Sequence, residues 1–206
     1  MTREELAASL ASVLRGNRPV IVALAGSNGA GKTTFYDLYL KSLGLTFVNA
    51  DHIAQVLRPT DPAAVAYEAA ATAKTVRRGL VAQQHSFCME TVFSDPAGDK
   101  LNFLRDAQHA GYVLVLLFFR LSDPMLSSAR VLQRVARGGH DVPDDKIVSR
   151  FERTRSNAAV ALGFVDVGWV IDNSSAQAPY RLVERWERGL CIEHEAAPPG
   201  NTRSLG

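Results

Sequence analysis

Cysteine is scarce in this chain of 206 residues: Cys88 and Cys191 stand far apart, without the paired spacing of a metal site. That excludes a disulfide framework and a zinc ribbon, and reads as two reduced thiols. Long apolar runs are also missing. The longest, Val113 to Phe119, is strand-sized and far short of the roughly 20 residues a membrane span needs. The first residues include Arg3, Glu4 and Glu5 where a secretion signal would be apolar, so a cytoplasmic protein with no membrane contact is expected. Charge of one sign is scarce as well. With 23 basic and 21 acidic residues the net charge is +2, which argues against general nucleic-acid affinity. Only five of those 23 are lysines and 18 are arginines, unevenly placed. A hydrophobic share of 47% with 21% charged residues is globular composition, and the length suits one domain with a substantial core.

Against these absences, one stretch is specific. Gly26-Ser27-Asn28-Gly29-Ala30-Gly31-Lys32-Thr33 follows the apolar run Val20 to Leu24 and precedes Thr34-Phe35-Tyr36-Asp37-Leu38-Tyr39-Leu40, which reads as a helix. Strand, glycine turn and helix in that order form a P-loop, which aims backbone N–H groups and a helix start at one polyphosphate. The glycines allow backbone angles that a side chain forbids; Lys32 reaches the β- and γ-phosphates, and the Thr33 hydroxyl ligates Mg2+. Residues 26 to 34 are thus the expected nucleotide site.

Thr2-x-x-Glu5 with Leu6, Leu10, Val13 and Leu14 predicts an amphipathic helix over 2–15. Strands are expected at 20–24, 45–49, 86–92, 112–119 and 168–172, each nearly all apolar, as parallel strands covered on both faces are. Asp61-Pro62, Asp95-Pro96 and Asp123-Pro124 each pair an N-cap with proline at the first helical position. Val65, Ala69, Val76 and Leu80 then share the expected buried face of the helix after Asp61. The fold class is therefore α/β: a P-loop NTPase fold with a parallel five-stranded sheet flanked by helices and ligands at the strands' carboxyl ends. One domain is expected over 1–194, and 195–206 reads as a loose tail.

Two acids stand at such strand ends. Asp51 follows Val48-Asn49-Ala50 and can accept the proton of an attacking hydroxyl or help hold Mg2+; the structural alternative is a helix N-cap. Glu90 ends the third strand, where it can meet substrate hydroxyls or stand behind the metal, with Thr91 and Ser94 as weaker candidates. The apolar strand through Phe119 closes on Arg120 where motor ATPases and transporters need an acid, which favours small kinases.

Arg130, Arg134 and Arg137 share one helix face after Asp123, and Lys146, Arg150 and Arg153 follow the turn Gly138-Gly139-His140-Asp141-Val142-Pro143. A basic helical hairpin over about 124–160, beside a P-loop, reads as a lid whose arginines stabilise charge on the transferring phosphoryl group. Arg137 and Arg150 flank the turn and are the leading candidates, with Arg134 next. Asn173, in Asp172-Asn173-Ser174 after the last expected strand, is placed at the base pocket or in a simple turn.

Taken together, residues 26–34, Asn49-Ala50-Asp51-His52-Ile53-Ala54, Glu90-Thr91-Val92-Phe93-Ser94, Gly111-Tyr112, Arg134 to Pro143, Arg150 and Asp172-Asn173-Ser174 resemble the zeta-toxin-like P-loop kinases, in the branch with a Gly-Gly-His-x-Val-Pro turn. The resemblance spans about 18–175. It implies an ATP- or GTP-dependent kinase acting on a hydroxyl, UDP-N-acetylglucosamine being the acceptor of the best-known members, and an antitoxin that restrains it. It also implies that Lys32 and Thr33 hold phosphate and Mg2+, Asp51 is the base, Glu90 meets the substrate, and Arg137 with Arg150 clamps the phosphates. Two positions depart from zeta toxins proper. Asn49-Ala50-Asp51-His52 replaces an Asp-Gly-Asp segment followed by arginine, and Val92 replaces a substrate-site threonine. An antibiotic or nucleoside kinase, and a nucleotide-binding regulatory module with incidental hydrolysis, remain open beside the sugar-nucleotide kinase.

Overall fold

The apolar strand at Val20–Gly26 (β1) is buried along its whole length, and its alternating side chains feed two cores. Ile21, Ala23 and Ala25 join one cluster; Val20, Val22 and Leu24 join the other. A strand buried on both faces needs helices on both sides, which is why this sequence folds as helix–sheet–helix layers. A computed structural model of the chain describes residues 3–135 and 144–195.

In chain order, helix α1 (Arg3–Leu14) precedes β1, the P-loop and helix α2 (Lys32–Phe35). The chain continues through β2 (Thr46–Val48), α3 (Ala50–Leu57), α4 (Ala66–Ala82), β3 (Phe87–Thr91) and α5 (Asp99–His109). It then forms β4 (Val113–Arg120), α6 (Pro124–Val135), α7 (Asp144–Leu162) and β5 (Val167–Asp172), and closes with β6 (Arg181–Glu187) and β7 (Leu190–His194). Leu6 and Leu10 of α1 pack with Phe35, Tyr36 and Leu40 on one face, while α4, α5 and α7 supply Ala73, Leu104 and Ala158 to the other. Among the described residues no helix is long and apolar enough to cross a membrane.

The sheet order is β2-β3-β1-β4-β5-β6-β7. The five expected strands are present and pair in parallel, but the expected five-stranded sheet is corrected to a mixed sheet of seven. β6 runs antiparallel to β5, and β7 antiparallel to β6. This hairpin escaped sequence reading because Arg181-Leu182-Val183-Glu184-Arg185 is mostly charged and β7 is exposed throughout. β7 is the edge strand and β6 is mostly only half-buried, so the apolar signal of both is weak. Glu195, where the tail is expected to begin, still donates its N–H to the Val183 carbonyl; residues 196–206 lie outside the described residues.

Local departures also have causes. The helix expected after Asp95-Pro96 starts at Asp99 instead. Helix α7 holds the intervening backbone: Thr154 Oγ1 donates to the Val92 carbonyl, Asn157 Nδ2 to those of Phe93 and Asp95, and Arg153 Nε to that of Ser94. After Phe35 the helix widens into a π-turn over Tyr36–Leu40, where Tyr36 stacks on Phe47 at 3.6 Å between centroids. On α4 the buried positions are Ala69 and Ala73, whereas Val76 is 37% exposed. One turn beyond Ala73 the inward position belongs to Arg77, a polar intrusion that an apolar template overlooks.

Candidate active site

The P-loop is shaped by its glycines and held from behind. Gly29 and Gly31 have φ of 70° and 89°, a region that costs an L side chain energy. A Cβ on Gly31 would lie 2.5 Å from the Asn173 amide nitrogen. That amide donates to the Ala30 carbonyl (2.9 Å), its oxygen accepts from the Tyr180 N–H (3.2 Å), and the Tyr180 hydroxyl donates to the Gly31 carbonyl (3.1 Å). Asn173 is 6% exposed, so it braces the loop's backbone from the sheet side. From the opposite side Ser127 Oγ donates to the Asn28 carbonyl (2.6 Å) and Arg130 reaches the Gly29 carbonyl (3.5 Å). The Tyr180 and Ser127 hydroxyls carried no sequence signal, because the loop carbonyls they meet are about a hundred residues or more away.

Lys32 is 5% exposed, and its ammonium donates to the Gly26 and Ser27 carbonyls at 2.9 and 3.0 Å. It lies 3.6 Å from the Glu90 carboxylate. The same carboxylate accepts from the Thr33 hydroxyl at 2.8 Å and from Asn49 Nδ2 at 2.9 Å. Register explains this meeting: β3 pairs with β1 so that Glu90 stands opposite Leu24, two residues before the loop opens. The acid missing from the end of β4 is thus present on β1's other neighbour.

The side chain of Asn49 works twice. Besides bonding Glu90, its carbonyl oxygen caps α3 by accepting from the N–H groups of Asp51 (2.8 Å) and His52 (3.3 Å). Capping by Asn49 leaves the Asp51 carboxylate exposed in the first turn. Asp51, Asn49 and Glu90 together line a cavity of about 570 Å³ that extends between α4 and α5 and is also lined by Arg150 of α7. Thr91 lines it too, although its hydroxyl accepts from the Phe93 N–H (3.0 Å) at a residue with φ of 66°. Thr34 is exposed on the first turn of α2. Arg137 and His140 lie outside the described residues, and so do the side chains of Arg134 and Lys146.

Arg120 and Arg181 hold Asp172 at 3.1 and 3.6 Å, and Ser174 gives it two hydrogen bonds, from its N–H at 2.9 Å and its hydroxyl at 2.6 Å. Burial pushes the Asp172 carboxyl up, yet the Ser174 bonds and the Arg120 charge outweigh it, so the group sits below the usual carboxylate range. With the folded value below the unfolded one, the unfolded chain takes up the proton first as pH falls. Asp172 therefore stabilises the fold above the ordinary carboxylate pKa of about 3.9, and that stabilisation is lost as pH falls through the folded value. Asp172→Asn is expected to lower the urea midpoint at pH 7 and to flatten its decline toward pH 3; an unchanged acid limb would count against this account.

The family model described as Zeta toxin matches residues 3–181. An uncharacterized protein of Haemophilus influenzae is 25% identical over 126 residues, covering 61% of this chain and 88% of that protein. Crystal structures of the AvrRxo1-ORF1:AvrRxo1-ORF2 pair, including one with ATP, share 19% identity at a TM-score of 0.70, covering 93% of this chain and 68% of theirs. The PezAT chromosomal toxin–antitoxin system of Streptococcus pneumoniae also shares 19% identity, at a TM-score of 0.60 with 88% and 79% covered. At such identities the structures attest the P-loop kinase-like α/β fold, while the match over nearly the whole described chain attests descent. The chain belongs to the Zeta toxin family.

Proposed function

We propose that the chain is an ATP- or GTP-dependent, Mg2+-requiring kinase that moves the γ-phosphoryl group to a hydroxyl of a small molecule. One observation carries this reading: Glu90 is shared between the phosphate loop, through Thr33 and Lys32, and the cavity that Asp51 lines. A donor phosphate and an acceptor alcohol would then meet at one carboxyl edge. A UDP-sugar such as UDP-N-acetylglucosamine is the acceptor class favoured by family membership.

Lys32, with the backbone of residues 26–34, binds the phosphates and offsets their charge. Asp51 takes the proton of the attacking hydroxyl, and its exposed carboxylate at the cavity has room to reach one. Glu90 orients Thr33 and Asn49 and faces the acceptor. Hydroxyl and carboxylate oxygens suit a small hard cation, so Thr33, Asp51 and Glu90 would hold Mg2+, directly or through water. Mg2+ held by these residues would supply charge that offsets the negative phosphates. Helices α6 and α7 serve as the lid of a single domain, with Arg134, Arg137 and Arg150 meeting the transferred group. By likeness to the PezAT system, a small antitoxin protein is proposed as a partner, in the cytoplasm; neither nucleic acid nor membrane is part of this reading.

The test is transfer of label from [γ-³²P]ATP to UDP-sugars, nucleosides and aminoglycosides, with GTP as a competing donor. A labelled small molecule that depends on Mg2+ is the expected result. Hydrolysis that no acceptor accelerates would instead favour a nucleotide-binding regulatory module.

A further inference from the structure

The cavity carries a cation deep on its α4 wall that nothing among the described residues neutralises. Arg77 follows Ala73 by one turn on the inward face of α4, and its Nε is buried without a hydrogen-bond partner. Its guanidinium lies 5.7 Å from the centre of the Phe103 ring, its one described interaction. Two lysines lining the same cavity are matched: Lys74 meets Asp99 at 3.4 Å, and Lys100 meets Asp95 at 3.4 Å. Asp106 lines the cavity on α5 but forms no ion pair with Arg77 among the described residues. Burial lowers the Arg77 pKa, yet a guanidinium stays charged at any working pH. The charge is half-buried on a cavity wall, and the ring contact with Phe103 leaves its Nε without a hydrogen-bond partner. Leaving a buried donor unsatisfied costs stability, whereas planar bidentate donors match carboxylate and phosphate oxygens.

Helix α4 runs from the carboxyl ends of the strands toward their amino ends, because its last residue, Ala82, leads into the start of β3. Lys74 is therefore nearer the catalytic edge and Arg77 about one turn deeper, with Arg78 following it and also lining the cavity. A molecule whose hydroxyl meets Asp51 would extend down the wall toward these arginines.

We propose that Arg77, assisted by Arg78, is a recognition site for an anionic group, a phosphate or a carboxylate, at the end of the acceptor remote from its reacting hydroxyl. The word acceptor rests on the kinase reading above; the anion site itself does not. Neutral polyols of similar size would be poor substrates, since they leave Arg77 desolvated and unpaired.

The experiment uses the full chain with Mg2+ and a non-hydrolysable ATP analogue filling the P-loop, and titrates inorganic phosphate and acetate in turn by calorimetry. Wild type is expected to bind one of them, phosphate or acetate telling which anion class fits. Arg77→Met is expected to weaken that binding by about 10-fold or more, the loss of one charged hydrogen-bonding partner, and Arg77→Lys to retain part of it. Its Tm should hold or rise, because an apolar side chain of similar length removes an unpaired buried charge. No binding of either anion to wild type, or equal binding by Arg77→Met, would overturn the site. So would a fall in Tm with unchanged anion affinity, the mark of a packing role against Phe103. In a transfer assay, an anionic acceptor should lose kcat/KM in Arg77→Met mainly through KM. Anion binding that needs Arg77 without any phosphorylated acceptor would leave the site standing and remove the kinase reading. Phosphorylation of neutral acceptors that ignores Arg77→Met would do the reverse.

Discussion

Replacing Asp51 by asparagine is expected to leave nucleotide binding intact and to lower phosphoryl transfer by about 10²–10⁴-fold, the usual worth of a positioned general base. The structure lets this substitution spare the helix cap. Asn49 caps α3, so the Asp51 carboxylate takes no part in starting the helix. Its stabilising contribution is limited to the interaction of an acid with the helix's first turn, about 0.3–1 kcal/mol. Asparagine keeps the shape and removes the proton acceptor. Transfer is measured as labelled product, and donor affinity with a fluorescent nucleotide analogue. Unchanged transfer by Asp51→Asn would refute Asp51 as the base.

Lys32→Met is expected to lower transfer by about 10²–10³-fold or more, the scale of losing one preorganised donor to a developing charge, and to weaken nucleotide binding as well. Lys32 is almost fully buried and sits between two loop carbonyls and the Glu90 carboxylate. Methionine fills the same volume but leaves Glu90 without its cation. Glu90 keeps donors in Thr33 and Asn49, so the stability cost should be about 1–3 kcal/mol and not that of a fully orphaned charge. The double change Lys32→Met with Glu90→Gln separates the two effects. Stability should return, since the residual charge is gone, while transfer stays lost. A double variant that regained transfer would show that Lys32 acts only by balancing Glu90.

Much of the candidate site is legible in the sequence alone. The P-loop is local: strand, turn and helix lie within some twenty residues, and each glycine answers a backbone demand. Asp51 and Glu90 were legible for the same reason, as acids where apolar strands end. Two other matters were not. The strand ending at Arg120 carries no acid, whereas the pairing of β1 with β3 brings Glu90 to the loop. Arg120 instead closes a network with Asp172 and Arg181. Asn173, expected at the base pocket or in a turn, braces Ala30 from behind the loop.

The sequence by itself determined the strand–loop–helix of the P-loop, the five parallel strands and the helices Pro124–Val135 and Asp144–Leu162, because each is written in contiguous residues whose spacing and propensity act locally. Tertiary structure alone decided which acid meets Thr33, what props the loop, that a charged hairpin extends the sheet, and that Arg77 turns into the cavity. Those outcomes depend on contacts between residues distant in sequence, and strand order and helix rotation, which set them, are properties of the packed core as a whole.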